Sequence, residues 1–190
     1  MPSKGRPRSE EARRAVLTAA AELLRAEGYE GLTIGGIAER AGVGRQTVYR
    51  WWSSKSAIVS EAVVAGVISL PLPPSPEPLP DGAVPGLGSW LASFGEAVTR
   101  EDTASVVRAL AAAAAEGGPE SEEIYARYTG PVKARIAAIA VAGGFAEGDA
   151  AVLADAVQGA LLVSALTRRP VDAAYLAALG RLGEPRAARG

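Results

Sequence analysis

Seven of the chain's thirteen prolines fall in one stretch, PLPPSPEPLPDGAVPG, from Pro71 to Gly86. Proline fixes φ and has no N–H to donate, so no helix survives that density. The stretch predicts a semi-rigid extended connector between two helical parts. A proline-rich ligand for another protein's aromatic groove is the alternative reading. On either side the apolar residues recur at helical spacing, and no alternating strand pattern or internal repeat is found. The chain therefore predicts an all-α fold divided into a basic arm at 1–9, a compact helical domain at 10–55, a connecting helix at 56–70, the linker at 71–86 and a second helical domain at 87–184.

In the front part, Val16, Leu17, Ala20, Leu23 and Leu24 form one stripe of a helix over 10–27, with Gly28 at the position of a C-terminal cap. Thr33 suits the N-cap of a helix over 34–41, which Gly42 closes by allowing a left-handed corner. A third helix runs from Arg45 to Trp51, and Ser53 or Ser54 caps a fourth over 55–69. Ile37, Ala38, Ala41, Val43, Val48 and Trp51 supply the apolar positions. Val48 and Trp51 are three apart and are expected to pack inward together, with Trp52 against the start of the fourth helix. This leaves Arg45, Gln46, Tyr49 and Arg50 facing outward.

Two helices joined by a glycine corner, with polar residues on the outer face of the second, form a helix-turn-helix whose second helix enters the major groove of DNA. The residue types suit that role. Arg45 offers a bidentate contact to guanine, Gln46 one to adenine, and Thr47 a contact to a thymine methyl. Thr33, Tyr49, Arg50 and Lys55 are expected to hold phosphates, which sets register without reading sequence. Phosphate contact is the alternative for Arg45 and Gln46. The arm Lys4-Gly5-Arg6-Pro7-Arg8 either tracks the minor groove or is a tail with incidental charge.

Charge agrees with this division. Residues 1–55 carry ten Lys and Arg against six acids, net +4, whereas the whole chain is net −1. An anionic partner is expected at the front and a different one behind.

The segment over residues 10–60 resembles the N-terminal domain of the TetR (tetracycline repressor) family. The resemblance rests on Glu27-Gly28-Tyr29, Leu32-Thr33, Ile37-Ala38-Glu39-Arg40-Ala41-Gly42-Val43, Thr47-Val48-Tyr49-Arg50-Trp51-Trp52 and Lys55. It implies a homodimer on palindromic double-stranded DNA, with a divergent C-terminal domain holding a small-molecule effector, and most often repression. Gly35-Gly36 departs from the better helix formers usual there, and Gly44 stands where a capping serine is common.

Absent residue types narrow the chemistry. The chain has no cysteine and no histidine, so thiolate nucleophiles, imidazole bases and Cys/His metal sites are excluded. Glu122 and Glu123 point about 100° apart on a helix and read as favourable N-terminal charges rather than a catalytic pair. No catalytic residue, metal or cofactor is expected. The basic N-terminus lacks an apolar signal segment, and no unbroken apolar run reaches membrane-spanning length. A cytoplasmic protein is the reading.

The back part predicts helices near 87–99, 102–116, 120–142, 149–168 and 172–182, with Gly130-Pro131 kinking or splitting the third. Trp90, Phe94, Tyr125, Tyr128, Phe145 and Gln158 are candidates for lining a ligand pocket, suited to an uncharged or aromatic effector; plain core is the alternative. Val152, Ala156, Gly159, Ala160 and Val163, with Tyr175 and Leu179 on the last helix, are expected at a dimer interface.

Overall fold

The computed structural model describes residues 6–70, 86–117 and 120–183. The proline-rich connector and most of the basic arm lie outside the described residues. All regular structure among the described residues is helical: α1 (Arg6–Gly31), α2 (Ile34–Ala41), α3 (Arg45–Trp51), α4 (Lys55–Val64), α5 (Leu87–Thr99), α6 (Glu101–Ala115), α7 (Ser121–Ile124), a π-helical turn (Tyr125–Thr129), α8 (Gly130–Ala142), α9 (Glu147–Thr167) and α10 (Ala173–Leu182).

Local signals set several boundaries. Thr33 Oγ1 accepts from Gly36 N at 3.1 Å and starts α2. Gly42, at φ 65°, stops it with its own N–H turned back to Glu39 O. Ser54 Oγ accepts from Ala57 N and starts α4. Gly28 breaks α1 at φ 71° and ψ 175°, so the regular helix ends there and residues 29–31 add one further turn. The fourth helix ends at Val64, short of residue 69, because Gly66 takes φ 72°. Pro131 splits the third back helix: lacking an N–H, it cannot close an α-helical bond onto residue 127, and the chain widens into the π-helical turn just before it.

The chain forms two compact units that are not consecutive in sequence. One contains residues 6–70 and 105–124, and the other residues 86–104 and 125–183. The linear succession of domains read from the sequence, with 87–184 as one body, therefore takes a different form. The divisions fall inside α6 and at the π-helical turn.

In the first unit, Val16, Leu17, Ala20 and Leu24 of α1 meet Ile37 and Ala38 of α2, Val48 of α3, and Ile58, Val59, Ala62 and Val63 of α4, all buried. The second unit is built on Trp90, Leu91 and Phe94 of α5, Ile136 and Ile139 of α8, Leu153, Val157 and Leu161 of α9, and Leu176 and Leu179 of α10. Helices α5 and α10 touch at Gly88 and Gly180, and Gly95 makes room for Leu176; a methyl group at Gly95 or Gly180 would collide with its neighbour.

Candidate nucleic-acid interface

The outer face of α3 is held by a polar network that sequence spacing does not reveal. Arg13 of α1 makes a paired bond to Glu61 of α4, Nε to Oε1 at 2.6 Å and Nη2 to Oε2 at 2.8 Å. Trp52, immediately after α3, donates its Nε1–H to the same Oε2 at 2.7 Å. The Glu61 side chain is only 14% exposed. The carboxylate raises the Arg13 guanidinium pKa further above its already high ordinary value, chiefly through this hydrogen bond. The indole of Trp52 is 4% exposed, meets Trp51 edge-on at 5.5 Å between centroids, and lies under the Arg13 guanidinium.

Trp52, not Trp51, is thus the core tryptophan, which corrects the sequence expectation. The reason is conformational. Helix α3 ends at Trp51, and Trp52 takes φ −134° and ψ 134°, so helical counting no longer gives its direction. Trp51 is half-buried, with the Arg50 guanidinium 5.8 Å from its ring.

Arg45, Gln46, Tyr49 and Arg50 are exposed on α3, and Thr47 is half-buried. Tyr49 is 59% exposed, a large aromatic with a free outer face. Thr33 is exposed at the start of α2; accepting the Gly36 N–H leaves its hydroxyl proton available to donate. Gly44 gives α3 no side-chain cap; its carbonyl instead accepts from Thr47 N at 2.9 Å and Val48 N at 3.2 Å.

Lys55 has a different use from the phosphate grip expected of it. Its Nζ donates to the carbonyls of Tyr29 at 2.7 Å and Leu32 at 3.0 Å, with Glu30 O at 3.5 Å, and stands 4.4 Å from the Tyr29 ring centroid. Its three donors are directed at the α1–α2 corner, 23 to 26 residues away in sequence. Lys55→Met is expected to lower the stability of the first unit by about 1–3 kcal/mol, because the carbonyls lose their partner. Its effect on the salt dependence of DNA binding should stay below about one ion. Thermal melting and a salt titration check this: an unchanged melt with a slope reduced by one ion would restore the phosphate role.

Further contacts tie the same corner to α6. Tyr29 N donates to Ser105 Oγ at 2.7 Å, and Arg108, 6% exposed, lies 3.0 Å from Glu30. Beyond α6, Glu116 accepts from Ser54 Oγ at 2.6 Å and Ser56 Oγ at 2.7 Å. These hydroxyls hold its carboxyl below the ordinary carboxylate range.

In the second unit, Trp90 and Phe94 are buried, with ring centroids 4.8 Å apart, and Phe145 packs half-buried against their core. Trp90 Nε1 is buried, with no hydrogen-bond partner among the described residues. Tyr125, 53% exposed on the π-helical turn, stands outside this core, contrary to expectation, and Tyr128 is half-buried beside it. Gln158 Nε2 is turned to Thr129 O at 2.8 Å, tying α9 to the turn. The bulge that Pro131 enforces moves both tyrosines off the face that straight helical counting gives them.

On α9, Val152 and Val163 are 69% and 56% exposed, Ala156 is exposed, and Gly159 and Ala160 are half-buried. Leu162 and Leu166 are also exposed. Tyr175 is half-buried, and Leu179 is buried in its own unit's core, a correction to its assignment at an interface. By length and composition α9, with mean hydropathy 1.6, is the one helix among the described residues able to cross a membrane. Asp155 and Gln158 interrupt it, so counting unbroken apolar runs passes over it. Its other face is built into the core, and Asp155 pairs with Lys133 at 2.6 Å.

A compact helical unit presenting the second helix of a helix-turn-helix to solvent defines a DNA-binding protein of the helix-turn-helix class. Residues 16–62 match the family of bacterial regulatory proteins, tetR family. Over 71 residues the chain is 41% identical to the uncharacterized HTH-type transcriptional regulator YdeS of Bacillus subtilis (strain 168), covering 37% of this chain and 36% of that protein. Over 111 residues it is 33% identical to the uncharacterized HTH-type transcriptional regulator Rv1556 of Mycobacterium tuberculosis (strain H37Rv), covering 57% and 49%. The matches span less than half the length of these relatives. The crystal structure of the TetR family transcription regulator SCO0332 superposes with a TM-score of 0.54 at 28% identity, over 89% of this chain and 94% of that one. BioQ shares the fold, with a TM-score of 0.58 at 16% identity over 90% and 96%. Residues 16–62 thus carry the helix-turn-helix segment of the tetR family of bacterial regulatory proteins.

Proposed function

We propose that this protein is a homodimeric repressor that binds a palindromic operator through two copies of α3 and is released by a small molecule held in the second unit. One observation carries the reading: α3 exposes Arg45, Gln46, Tyr49 and Arg50 together, while Val48 and Trp52 anchor the helix in the core. Arg45, Gln46 and Thr47 then read base edges, and Thr33, Tyr49 and Arg50 hold phosphates. BioQ, which shares the fold, was solved with its natural double-stranded DNA operator.

The dimer is supported by α9. Val152, Ala156, Gly159, Val163 and Leu166 recur at spacings of four and three, an apolar or small seam that is exposed apart from half-buried Gly159 among the described residues. A second copy covers it by two-fold symmetry. The effector reading is supported by the aromatic core of the second unit. The Trp90 indole N–H is available there to an uncharged ligand carrying an acceptor. Release follows if the ligand binds better to a dimer whose α3 helices are wrongly spaced, and operator and ligand then oppose each other reciprocally. The close α5–α10 contact at Gly88 and Gly180 favours a second reading, a DNA-binding protein with a filled core and no effector.

Arg45→Ala tests base reading. Affinity for the preferred duplex is expected to fall by about 1–3 kcal/mol, with discrimination relaxed at one base pair per half-site. Anisotropy titrations against single-base variants measure this. A uniform loss across all variants would make Arg45 a phosphate contact.

A further inference from the structure

Gly35 stands in the first turn of α2, where glycine is a poor helix former. Its backbone gives no reason for it, because Gly35 is not among the residues with positive φ. The reason lies ten positions on. A methyl group on Gly35 would lie 3.0 Å from both Cζ and Nη2 of Arg45 and 3.3 Å from its Nε. Three guanidinium atoms at nearly one distance from that position mean that the group turns its flat face toward the place a Gly35 side chain would occupy. Gly36 differs: a methyl group there would meet Thr33 Oγ1, the capping hydroxyl, at 3.2 Å.

We propose that Gly35 is a positioning residue for operator recognition, its bare Cα serving as the shelf that sets the angle at which Arg45 enters the groove. The inference rests on the base-reading role of α3 proposed above. The positive end of the α2 dipole does not attract a guanidinium, so the contact is one of shape rather than charge. Among the described residues Arg45 makes no hydrogen bond within the protein, and its planar fork stays available to an acceptor outside. An exposed arginine samples many rotamers, and a surface that supports its flat face removes part of that freedom before DNA arrives. Bidentate recognition of a base edge depends on the plane of the fork, so a tilt imposed by one methyl group changes what is read. The glycines that set this α2 apart from better helix formers thus have two separate uses, Gly36 at the cap and Gly35 beneath the reading side chain.

The test is a cycle of Gly35→Ala, Arg45→Ala and the double variant in the full chain. Anisotropy is measured on the duplex that the wild type enriches from a random pool, and on its single-base variants. Gly35→Ala should bind that duplex at least about fivefold more weakly and shift preference at the base pair that Arg45→Ala also relaxes. Its melting temperature should be unchanged or higher, since alanine is the better helix former. In the Arg45→Ala background, Gly35→Ala should change affinity by less than about twofold. Equal losses in both backgrounds, or a Gly35→Ala protein with wild-type affinity and preference, would overturn the proposal. If the wild type enriches no duplex, the DNA-reading role itself fails. The shelf is then decided in the free protein, where Gly35→Ala must move the Arg45 Nε–H resonance, and an unmoved resonance refutes it.

Discussion

Val163→Asp is expected to convert the protein to monomers and to weaken binding to a duplex with two half-sites by about 10²–10⁴-fold. Val163 lies on the α9 seam and is 56% exposed in the single chain. An aspartate there remains solvated in the monomer and costs its fold little. In a two-fold pair the same carboxylate would be desolvated with no cation facing it, and its symmetry copy would bring a second negative charge. Losing the pair removes the second DNA contact without altering α3, so the helical circular dichroism spectrum should be preserved. Sedimentation of the variant and the wild type measures the mass directly. A variant that stays dimeric with unchanged DNA affinity would place the interface elsewhere.

Trp52→Ala is expected to destabilise the first unit by about 3–5 kcal/mol, the cost of a buried tryptophan cavity, whereas Trp51→Ala should cost about 1 kcal/mol or less. The indole fills the space between α1, α3 and α4, and its loss also takes a donor from the Glu61 carboxylate, leaving that group to Arg13 alone. Few small domains have that much stability to lose, so DNA binding should fall with it through unfolding of the cradle. Trp52→Phe keeps most of the volume and isolates the hydrogen bond. Urea unfolding followed by circular dichroism separates the two tryptophans. A larger loss for Trp51→Ala than for Trp52→Ala would contradict the packing described.

The reach of the sequence follows the range of the forces involved. Helices α2 and α3 have the bounds expected of them because their ends are set by neighbours in sequence: Thr33 caps Gly36, and Gly42 supplies the left-handed corner. The exposure of Arg45, Gln46, Tyr49 and Arg50 follows from helical periodicity over one short helix. Trp52 was hidden because it lies one residue past the point where that periodicity stops. Lys55 was hidden because its partners are main-chain carbonyls, which carry no residue signature. The Arg13–Glu61 pair spans 48 positions, and nothing local couples the two. Leu179 has the apolar character of an interface residue, and only the glycine-mediated approach of α10 to α5 turns it inward. Residues 105–124 belong to the first unit, where Ser105, Arg108 and Glu116 have partners that are likewise distant in the chain.

Enrichment of bound fragments from a random pool of duplexes, with the full chain at near-physiological salt, bears most directly on two α3 helices acting as a two-fold pair. Inverted half-sites with centres about one helical turn apart, roughly 34 Å, are expected. A single unrepeated site, or no enrichment over the starting pool, would contradict that arrangement.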